Sequence, residues 1–460
     1  MSRKRSRNST YNPIPADADA SGRPLVAIVG RPNVGKSTLF NRLVGRRIAI
    51  VEDVEGVTRD RNYADARVYG REYVLIDTGG FDPESDDPMR EGIVSHVRLA
   101  LEECDLVICV LDAASEATQA DREAVHLLRQ GEKPVLWVAN KAESFANKIQ
   151  SSSLYELGVD TIFPVSALHG NGVGDLEEAL ANGLPAEQPV NALSFDRELP
   201  RVAIVGRPNA GKSSLLNRLL KDERQLVDDR PGTTVDSIDA LVPHEEGPLV
   251  VIDTAGIRRK RAVKRKGGVE ALSVVSAIRA MERSDLVVLM IDANEGIAEQ
   301  DAKIAGLAEE RGRALVIGLN KTDLLDSESR KRLEARTREV LAFAPWAPMV
   351  HLSAKSGRGV ERLLQTCRRI CAEHRKRIST AKVNRFFEQV LETHPPPTHH
   401  HRPVRLYYIT QARASPPTFV VSTNRPEGVH FSYKRYVVNQ LRRAFGFEGT
   451  PVFVRYRGKN

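Results

Sequence analysis

Short runs of Val, Ile and Leu recur through residues 24–374, and each run is followed by a longer stretch with the polar and apolar spacing of a helix. Apolar runs without polar interruption are typical of strands that are buried on both faces of a parallel sheet. This alternation predicts an α/β fold in which helices cover both faces of a mostly parallel sheet.

The pattern occurs twice. Residues 26–40 read VAIVGRPNVGKSTLF and residues 202–216 read VAIVGRPNAGKSSLL, 176 positions later. An offset of this size indicates a duplicated domain rather than a solenoid repeat. Strands are predicted at 26–29, 74–76, 106–111, 135–139 and 162–165 in the first unit, and at 202–205, 250–252, 286–291, 314–318 and 349–352 in the second.

The pattern changes after residue 375. A predicted helix at 381–392 leads into three prolines, and strands are then predicted at 404–411, 418–422 and 451–456, with a helix at 433–445 before the last strand. This α-β-β-α-β order predicts a small α+β domain. The predicted organisation is a disordered basic arm (1–23), a first domain (24–181), a linker (182–200), a second domain (201–374) and a C-terminal domain (375–460).

Composition narrows the class of protein. The 460 residues are 41% hydrophobic and 28% charged, as in ordinary globular proteins. No apolar run approaches the ~20 residues that cross a bilayer, and four cysteines do not form a disulfide framework. We therefore expect a cytoplasmic protein without a membrane partner.

Positive charge is concentrated at the ends of the chain. The net charge is +8, yet residues 375–460 hold 16 Lys and Arg against 4 Glu, a balance of +12. The first 23 residues contribute +3, which leaves −7 for residues 24–374. Such asymmetry favours a polyanionic partner for the C-terminal domain. The alternative is a solvated basic surface.

Each unit contains a Gly-x-x-x-x-Gly-Lys-Ser loop between a predicted strand and a predicted helix. The backbone N–H groups of such a loop, the helix N-terminus and the lysine bind nucleotide phosphates, and the serine hydroxyl binds Mg²⁺. The predicted residues are Gly30, Arg31, Pro32, Asn33, Val34, Gly35, Lys36 and Ser37, and Gly206, Arg207, Pro208, Asn209, Ala210, Gly211, Lys212 and Ser213.

A second motif in each unit predicts the Mg²⁺ and γ-phosphate contacts. Both motif aspartates lie 41 residues after the P-loop lysine, and a threonine lies 21 residues after each P-loop serine. Such a threonine can complete the Mg²⁺ site only while γ-phosphate is bound, which is how an order–disorder switch works. The predicted Mg²⁺ residues are Ser37, Thr58, Asp77, Ser213, Thr234 and Asp253. The rest of the motifs comprise Thr78, Gly79, Gly80 and Phe81, and Thr254, Ala255, Gly256 and Ile257.

Guanine selection is predicted from a polar segment after the next strand. A carboxylate accepts two hydrogen bonds from guanine N1–H and the 2-amino group, which adenine cannot supply. The second unit has Asn320, Lys321, Thr322 and Asp323; the first has Asn140, Lys141, Ala142 and Glu143. The longer Glu143 leaves the guanine selectivity of the first site open. Backbone contacts to guanine O6 are predicted from Ser166 and Ala167, and from Ser353 and Ala354, so that both units bind GTP or GDP.

The chain resembles the Der (EngA) family of bacterial GTPases, which have two G domains followed by a KH-like domain. The resemblance covers nearly all of 24–457 and rests on the repeated GRPNxGKS, the segments DTGGF and DTAGI, and the C-terminal segments HPPP, LYY and FGFEGTP. Glu143, Glu55 and Val235 depart from the family's pattern. The resemblance implies a GTPase that acts in assembly of the large (50S) ribosomal subunit, binds rRNA through its C-terminal domain, and is a monomer away from the ribosome.

The resemblance also bears on hydrolysis. Phe81 and Ile257 occupy the positions at which Ras-type GTPases have a water-orienting glutamine, and neither can form such a hydrogen bond. In similar GTPases an asparagine that matches Asn33 and Asn209 helps to hold K⁺. Catalytic roles are therefore implied for Asn33, Lys36, Asn209 and Lys212, with turnover that is slow and stimulated by K⁺.

Basic residues near the second site and in the C-terminal domain are candidates for RNA contact. Seven of the nine residues at 258–266 are basic, which is either a solvated loop or a nucleotide-responsive contact. KH domains clamp nucleic acid with a GxxG loop, but the segment from Gly446 to Gly449 precedes a strand and carries a glutamate, so we interpret it as a turn. The predicted RNA-binding residues are Arg402, Arg405, Lys434, Arg435, Arg442 and Arg443.

Two other functions remain open on sequence grounds. The chain could be a switch whose GTP state recruits a protein effector without RNA. A GTPase of tRNA modification is weaker, because the sequence contains no recognisable methyl-donor, folate or flavin site.

Overall fold

The structure, a computed structural model, describes residues 22–45, 63–80, 91–143, 151–185, 199–221, 239–252, 269–398 and 402–458. The predicted arm up to residue 21, most of the predicted linker and the basic segment at 258–266 lie outside these residues. Within them, three sheets account for the strands.

The first unit is built on a six-stranded sheet. Its strands are β1 (Leu25–Val29), β2 (Tyr63–Val68), β3 (Arg71–Asp77), β4 (Leu106–Asp112), β5 (Val135–Asn140) and β6 (Ile162–Pro164). Its helices are α1 (Lys36–Val44), α2 (Glu91–Glu103), α3 (Gln119–Gln130) and α4 (Val173–Gly183). The strand order is β2-β3-β1-β4-β5-β6, with β2 antiparallel to β3 and the other pairs parallel. The strand β4 is buried from Leu106 to Leu111, because helices cover both faces.

The second unit repeats this topology. Its strands are β7 (Arg201–Val205), β8 (Ala240–Val242), β9 (Leu249–Ile252), β10 (Leu286–Asp292), β11 (Ala314–Asn320) and β12 (Met349–His351). Its helices are α5 (Lys212–Lys221), α6 (Val269–Glu282), α7 (Glu299–Glu310), α8 (Ser327–Val340) and α9 (Val360–His374). The order is β12-β11-β10-β7-β9-β8, and only β8 runs antiparallel to its neighbour.

The predicted α/β fold with two mostly parallel sheets is confirmed. The structure adds one antiparallel edge strand to each sheet, β2 and β8, that the apolar runs did not identify. An edge strand alternates buried and exposed positions rather than forming a continuous apolar run, as the burial of β2 illustrates.

The C-terminal part contains α10 (Thr380–Thr393), β13 (Leu406–Arg413), β14 (Thr418–Thr423), α11 (Phe431–Phe445) and β15 (Phe453–Gly458). The predicted α+β order is therefore confirmed, with the first and last strands shifted by two residues. In the sheet, β14 lies between antiparallel β13 and parallel β15. One face packs on the helices through a core that includes Phe387, Ile409, Phe419, Val421 and Leu441.

The first and second units contact each other along α2 and α6. The Ser276 hydroxyl donates to a Glu103 carboxylate oxygen at 2.5 Å, and Arg279 donates to the Glu103 carbonyl at 2.9 Å. At the end of α6, Glu282 accepts two hydrogen bonds from Arg23 at 2.8 and 3.0 Å and a third from Arg311. This contact joins the helix that follows the γ-phosphate motif in one unit to its counterpart in the other.

The C-terminal part docks onto the second unit through the turn after α11. Gly449 N–H donates to the Trp346 carbonyl at 2.8 Å, and the Gly449 carbonyl accepts from Leu315 N–H, the second residue of β11, at 2.7 Å. The buried His374 ring nitrogen lies 2.5 Å from the Thr450 hydroxyl. The turn from Gly446 to Gly449 is therefore occupied by contacts within the chain.

Candidate nucleotide-binding sites

The two P-loops have closely similar backbone conformations at their glycine and asparagine positions. A Cβ at Gly30 would lie 2.4 Å from the Val110 carbonyl oxygen, and one at Gly206 would lie 2.3 Å from that of Met290, so only glycine fits at either position. Asn33 and Asn209 both have a φ of 65°, in the left-handed region. Both side chains are exposed.

The P-loop lysines curl over their own loops. The Lys36 ammonium donates to the Arg31 carbonyl at 2.8 Å, and the Lys212 ammonium donates to the Gly206 and Arg207 carbonyls, each at 2.6 Å. Burial lowers the pKa of Lys36, while Asp77 opposes the shift. Because phosphate oxygens are stronger acceptors for a cation than carbonyls, a bound nucleotide can draw each lysine out of the loop.

The first site brings together two of the predicted Mg²⁺ residues. The Ser37 hydroxyl donates to an Asp77 carboxylate oxygen at 2.7 Å, and the other carboxylate oxygen accepts from Gly79 N–H at 3.1 Å. The Thr78 hydroxyl donates to the Ile28 carbonyl at 2.8 Å, which holds the motif against β1. A hydroxyl and a carboxylate beside the phosphate loop form an oxygen donor set that suits Mg²⁺.

Several predicted switch residues lie outside the described part of the chain. They are Thr58, Phe81, Thr234, Asp253, Thr254, Ala255, Gly256 and Ile257. Their proposed contacts stay predictions.

One asparagine in each unit joins the phosphate loop to the base-binding loop. The Asn140 side chain donates to the Val34 carbonyl at 2.8 Å and accepts from Ala167 N–H at 2.9 Å. Asn320 forms the same pair with the Ala210 carbonyl at 2.8 Å and Ala354 N–H at 2.9 Å. The residues predicted to bind phosphate and guanine are thus tied together within each unit.

The lysine after each asparagine is paired with the strand beside it. Lys141 lies 2.7 Å from Asp112, and Lys321 pairs in the same way with Asp292. Both lysines have a positive φ, 68° and 64°. This conformation turns the following residues, Glu143 and Asp323, to the surface, where both are exposed.

The two base-binding regions differ in detail. Both serine hydroxyls accept from the N–H three residues later, His169 at 3.2 Å for Ser166 and Ser356 at 3.3 Å for Ser353. Ser166 in addition donates to a Glu143 carboxylate oxygen at 3.3 Å. The extra methylene of Glu143 lets its carboxylate reach back to the serine. The first unit also has an apolar residue after its Ser-Ala pair, Leu168, which is 63% exposed; the second has Lys355.

The structure reveals a contact behind each P-loop that the sequence analysis missed. The Arg31 guanidinium lies 3.3 Å from the buried Asp121 at the start of α3. In the second unit Arg207 donates to Asp301 at 2.9 Å and to the Gly296 carbonyl at 2.7 Å. Because Asp301 is fully buried, this charged pair fixes the loop to α7. The arginine and aspartate are 90 residues apart in the first repeat and 94 in the second, so the spacing offered no signal for this contact.

Family models and curated relatives match this chain as a GTPase along nearly its whole length. A family model described as a 50S ribosome-binding GTPase matches residues 25–141 and 201–321, and one described as the C-terminal KH-domain-like region of EngA bacterial GTPase enzymes matches 377–457. A model of the elongation factor Tu GTP binding domain matches 274–373. GTPase Der of Geotalea daltonii is 45% identical over 439 residues, which cover 95% of this chain and 98% of that protein.

The chain belongs to the Der family of GTPases. The family protein of Moorella thermoacetica is 45% identical over 437 residues, covering 95% of this chain and 98% of its own length. That of Myxococcus xanthus is 43% identical over 447 residues, covering 95% and 96%. The chain is accordingly a GTP-binding protein that hydrolyses GTP, as predicted, and GTPases of this kind use Mg²⁺.

The predicted RNA-binding residues of this Der-family chain occupy different surroundings. Arg402, Arg405, Arg435 and Arg443 are exposed, and Lys434 lies over the Tyr456 ring at 5.7 Å. Arg442 is placed elsewhere: it donates to the Phe447 and Thr450 carbonyls at 2.7 and 2.8 Å and stacks on Trp346. Its guanidinium is used in docking to the second GTPase domain, so we withdraw it from the predicted set.

Among the helices of the described ranges, none is long and apolar enough to cross a membrane.

Proposed function

We propose that this chain couples GTP hydrolysis at two sites to assembly of the large (50S) ribosomal subunit in the cytoplasm, with rRNA bound by its C-terminal domain. A monomer would bind and leave the particle according to its nucleotide state. The family whose model matches both GTPase domains is described as a 50S ribosome-binding GTPase, which supports the ribosomal part.

The observation that carries the proposal is the attachment of a strongly basic domain to a nucleotide-binding strand. Residues 375–460 have a balance of 16 Lys and Arg against 4 Glu. Their turn at Gly449 is hydrogen-bonded to β11, and β11 ends at Asn320 beside the second nucleotide site. A surface for polyanions and a GTPase site are therefore connected through one strand.

The metal ions belong to the same proposal. Mg²⁺ would be held by Ser37, Thr58 and Asp77 in the first site and by Ser213, Thr234 and Asp253 in the second, and would neutralise charge between the β- and γ-phosphates. K⁺ would lie beside Asn33 and Asn209, whose side chains are exposed. Arg402, Arg405, Lys434, Arg435 and Arg443 are candidate rRNA contacts.

Co-sedimentation with purified 50S particles tests the ribosomal part. The full chain should pellet with the particles in at least one of three states (GTP, GDP or a non-hydrolysable GTP analogue) and should be released as salt rises, because each neutralised phosphate rebinds counterions. A Lys36→Ala/Lys212→Ala variant is the control, since its binding should not respond to nucleotide.

The outcomes separate the candidate functions. Failure to pellet in every state at low salt would overturn the ribosomal proposal and leave the GTPase activity intact. Binding that does not weaken with salt would favour a protein effector recognised through apolar contacts.

A further inference from the structure

The C-terminal sheet has a second face that does not belong to the core. The face toward α10 and α11 contains Ile409, Phe419 and Val421. Because side chains alternate along a strand, their neighbours Tyr408, Val420 and Arg455 point to the opposite side. Tyr408 is 52% exposed and Arg455 is also exposed. We call this side the open face and define it as Tyr408, Thr410, Val420, Arg455 and Arg457.

The strand register arranges the sheet in three rows. Tyr408 is paired with Ser422 and then Arg457, and Thr410 is paired with Val420 and then Arg455. In the third row Arg413 is paired with Thr418, which is paired with Phe453; this row lies against the second GTPase domain, because a Cβ at Gly312 would be 3.3 Å from the Phe453 ring. One edge of the open face thus carries Arg455 and Arg457 two residues apart, and the opposite edge carries Tyr408 and Thr410.

The strands of the open face carry positive charge and no acidic residue. The strands β13, β14 and β15 contain three arginines and no Asp or Glu. No carboxylate in the described ranges forms an ion pair with Arg413, Arg455 or Arg457. Burial, together with the neighbouring Arg457 and Arg413, lowers the pKa of Arg455. Clustered guanidinium groups repel one another, and a bound anion would relieve that repulsion.

The turn from Gly446 to Gly449, whose letters match a GxxG loop although it precedes a strand, is not free to bind nucleic acid. It donates and accepts hydrogen bonds with Trp346 and Leu315 of the second GTPase domain. Arg369 pairs with the turn residue Glu448. A nucleic acid backbone therefore cannot enter there while the domain is docked, and the open face offers an alternative on the other side of the sheet.

We propose that the open face binds RNA, with Arg455 and Arg457 contacting phosphates and Tyr408 stacking on a base. The inference rests on the proposed function and specifies its RNA-binding surface. RNA fits better than an acidic polypeptide, because an arginine fork matches phosphate geometry and an exposed aromatic ring at the end of a basic row matches a base.

The test measures binding of the full chain to a fluorescein-labelled single-stranded RNA of mixed sequence by anisotropy over a range of salt. Arg455→Gln/Arg457→Gln should weaken binding at least about tenfold and lower the slope of log K against log salt by about 1.4, since two phosphate contacts are lost. Tyr408→Leu should weaken binding about tenfold without changing the slope. GTP hydrolysis without RNA should be unchanged in both.

Two matched variants decide where the RNA lies. Arg332→Gln/Arg336→Gln removes the same charge from exposed positions on α8 and should bind RNA within about twofold of wild type, because screening weakens distant charges. Arg435→Gln/Arg443→Gln removes two positive charges from α11, on the helical side of the domain. An equal or larger loss in the α11 variant would place the RNA on the helical side and overturn the inference.

Other outcomes separate the inference from the proposed function. If wild type binds RNA and the open-face variants bind equally well, the inference is wrong and the proposed function stands. If wild type binds neither this RNA nor 50S particles, both fail. Displacement of the RNA by poly-glutamate at the same charge concentration would identify the face as a site for acidic polypeptides and would also overturn the inference.

Discussion

In each P-loop, the side chain of the arginine after the first glycine contacts an aspartate of the helix that packs beside the loop. Arg207 reaches both Asp301 and the Gly296 carbonyl, and an additional ion pair at 3.3 Å joins it to Glu295. A planar guanidinium can satisfy these acceptors together, whereas a lysine is a single flexible charge. Because the guanidinium is bonded to α7 and to the loop before it, we regard the arginine as a positioning residue.

Replacing this arginine by lysine should impair the second site. In a Lys36→Ala background, where only the second site reports, Arg207→Lys should lower kcat/KM for GTP about tenfold, the equivalent of one charged hydrogen bond. Arg336→Lys, on the exposed side of α8, is the control and should have no effect. Unchanged kinetics in Arg207→Lys would show that the loop holds its shape without the guanidinium.

The two repeats differ at the N-cap residue of the helix that pairs with the P-loop arginine, α3 in the first repeat and α7 in the second. In the first, the Thr118 hydroxyl donates to Asp121 at 2.7 Å and accepts from its N–H at 3.2 Å. Ala298 occupies this position in the second, and one buried oxygen of Asp301 has no partner within the described residues. Ala298→Thr should therefore stabilise the second domain by about 1 kcal/mol and raise its melting temperature by about 2–4 °C. Calorimetry checks this, and a lower melting temperature would show that the hydroxyl does not fit.

The predicted role of the P-loop asparagines is also testable at single residues. In the Lys36→Ala background, hydrolysis should be about tenfold or more faster in K⁺ than in Na⁺ at matched ionic strength, because a positioned cation stabilises the developing phosphate charge. Asn209→Ala should remove this difference. Equal rates in the two salts for the unsubstituted site would exclude a K⁺-dependent mechanism.

Among the elements, the turn after α11 carries the contact between the last two domains. Gly449 has a φ of 67°, and a Cβ there would lie 2.5 Å from the Ile370 side chain. Alanine would be strained in this conformation and would also meet α9. The Arg442 guanidinium then packs 5.2 Å from the Trp346 ring centroid and completes the contact.

Gly449→Ala should loosen this docking. In a Trp137→Phe background Trp346 is the one remaining tryptophan, so its emission should shift to longer wavelength and the variant should be cut faster by protease between α9 and α10. Gly458→Ala, where a Cβ would meet nothing closer than 3.9 Å, is the matched control. Identical spectra for the two variants would contradict the docking role.

Sequence patterns predicted the strands that are continuous apolar runs, because such runs are buried on both faces. They did not identify the edge strands β2, whose positions alternate between burial and exposure, and β8, which is three residues long. The predicted site residues came from motifs, because a motif specifies residue types at fixed short distances along the chain. Contacts between distant positions, such as Arg207 with Asp301 or Arg442 with Trp346, could not be predicted, because they depend on how separate elements pack.

In the whole molecule, a buried ionic cluster joins the two GTPase domains. Glu282 has 3% of its side chain exposed and is paired with Arg23 at 2.8 Å and with Arg311. Arg23 also pairs with Asp65 of β2 at 2.7 Å. Burial alone would raise the pKa of Glu282, but the arginines lower it to about 2.

Removing this carboxylate should separate the GTPase domains. Glu282→Gln leaves buried guanidinium groups without a counter-charge, which costs about 3–5 kcal/mol, so the radius of gyration measured by small-angle X-ray scattering should rise. Glu339→Gln breaks an exposed pair and should change nothing. Since the pKa of Glu282 is lowered from 4.5, its stabilisation is present above about pH 4.5 and is lost as the pH falls toward 2. An unchanged radius of gyration in Glu282→Gln would mean that the contacts between α2 and α6 hold the two GTPase domains together without the ionic cluster.

The hydrogen bonds of Gly449 also limit how such a protein can be recombined. A chain that ended at Arg375 would leave the Leu315 N–H and the Trp346 carbonyl unpaired and would expose Ile370. Exchange of the last domain between relatives should therefore succeed only when the turn and the residues that contact it, Leu315, Trp346 and Ile370, are exchanged together. The second GTPase domain and the C-terminal domain are thus expected to be inherited as one unit, whereas the first GTPase domain, joined through side chains, is free to vary at its own rate.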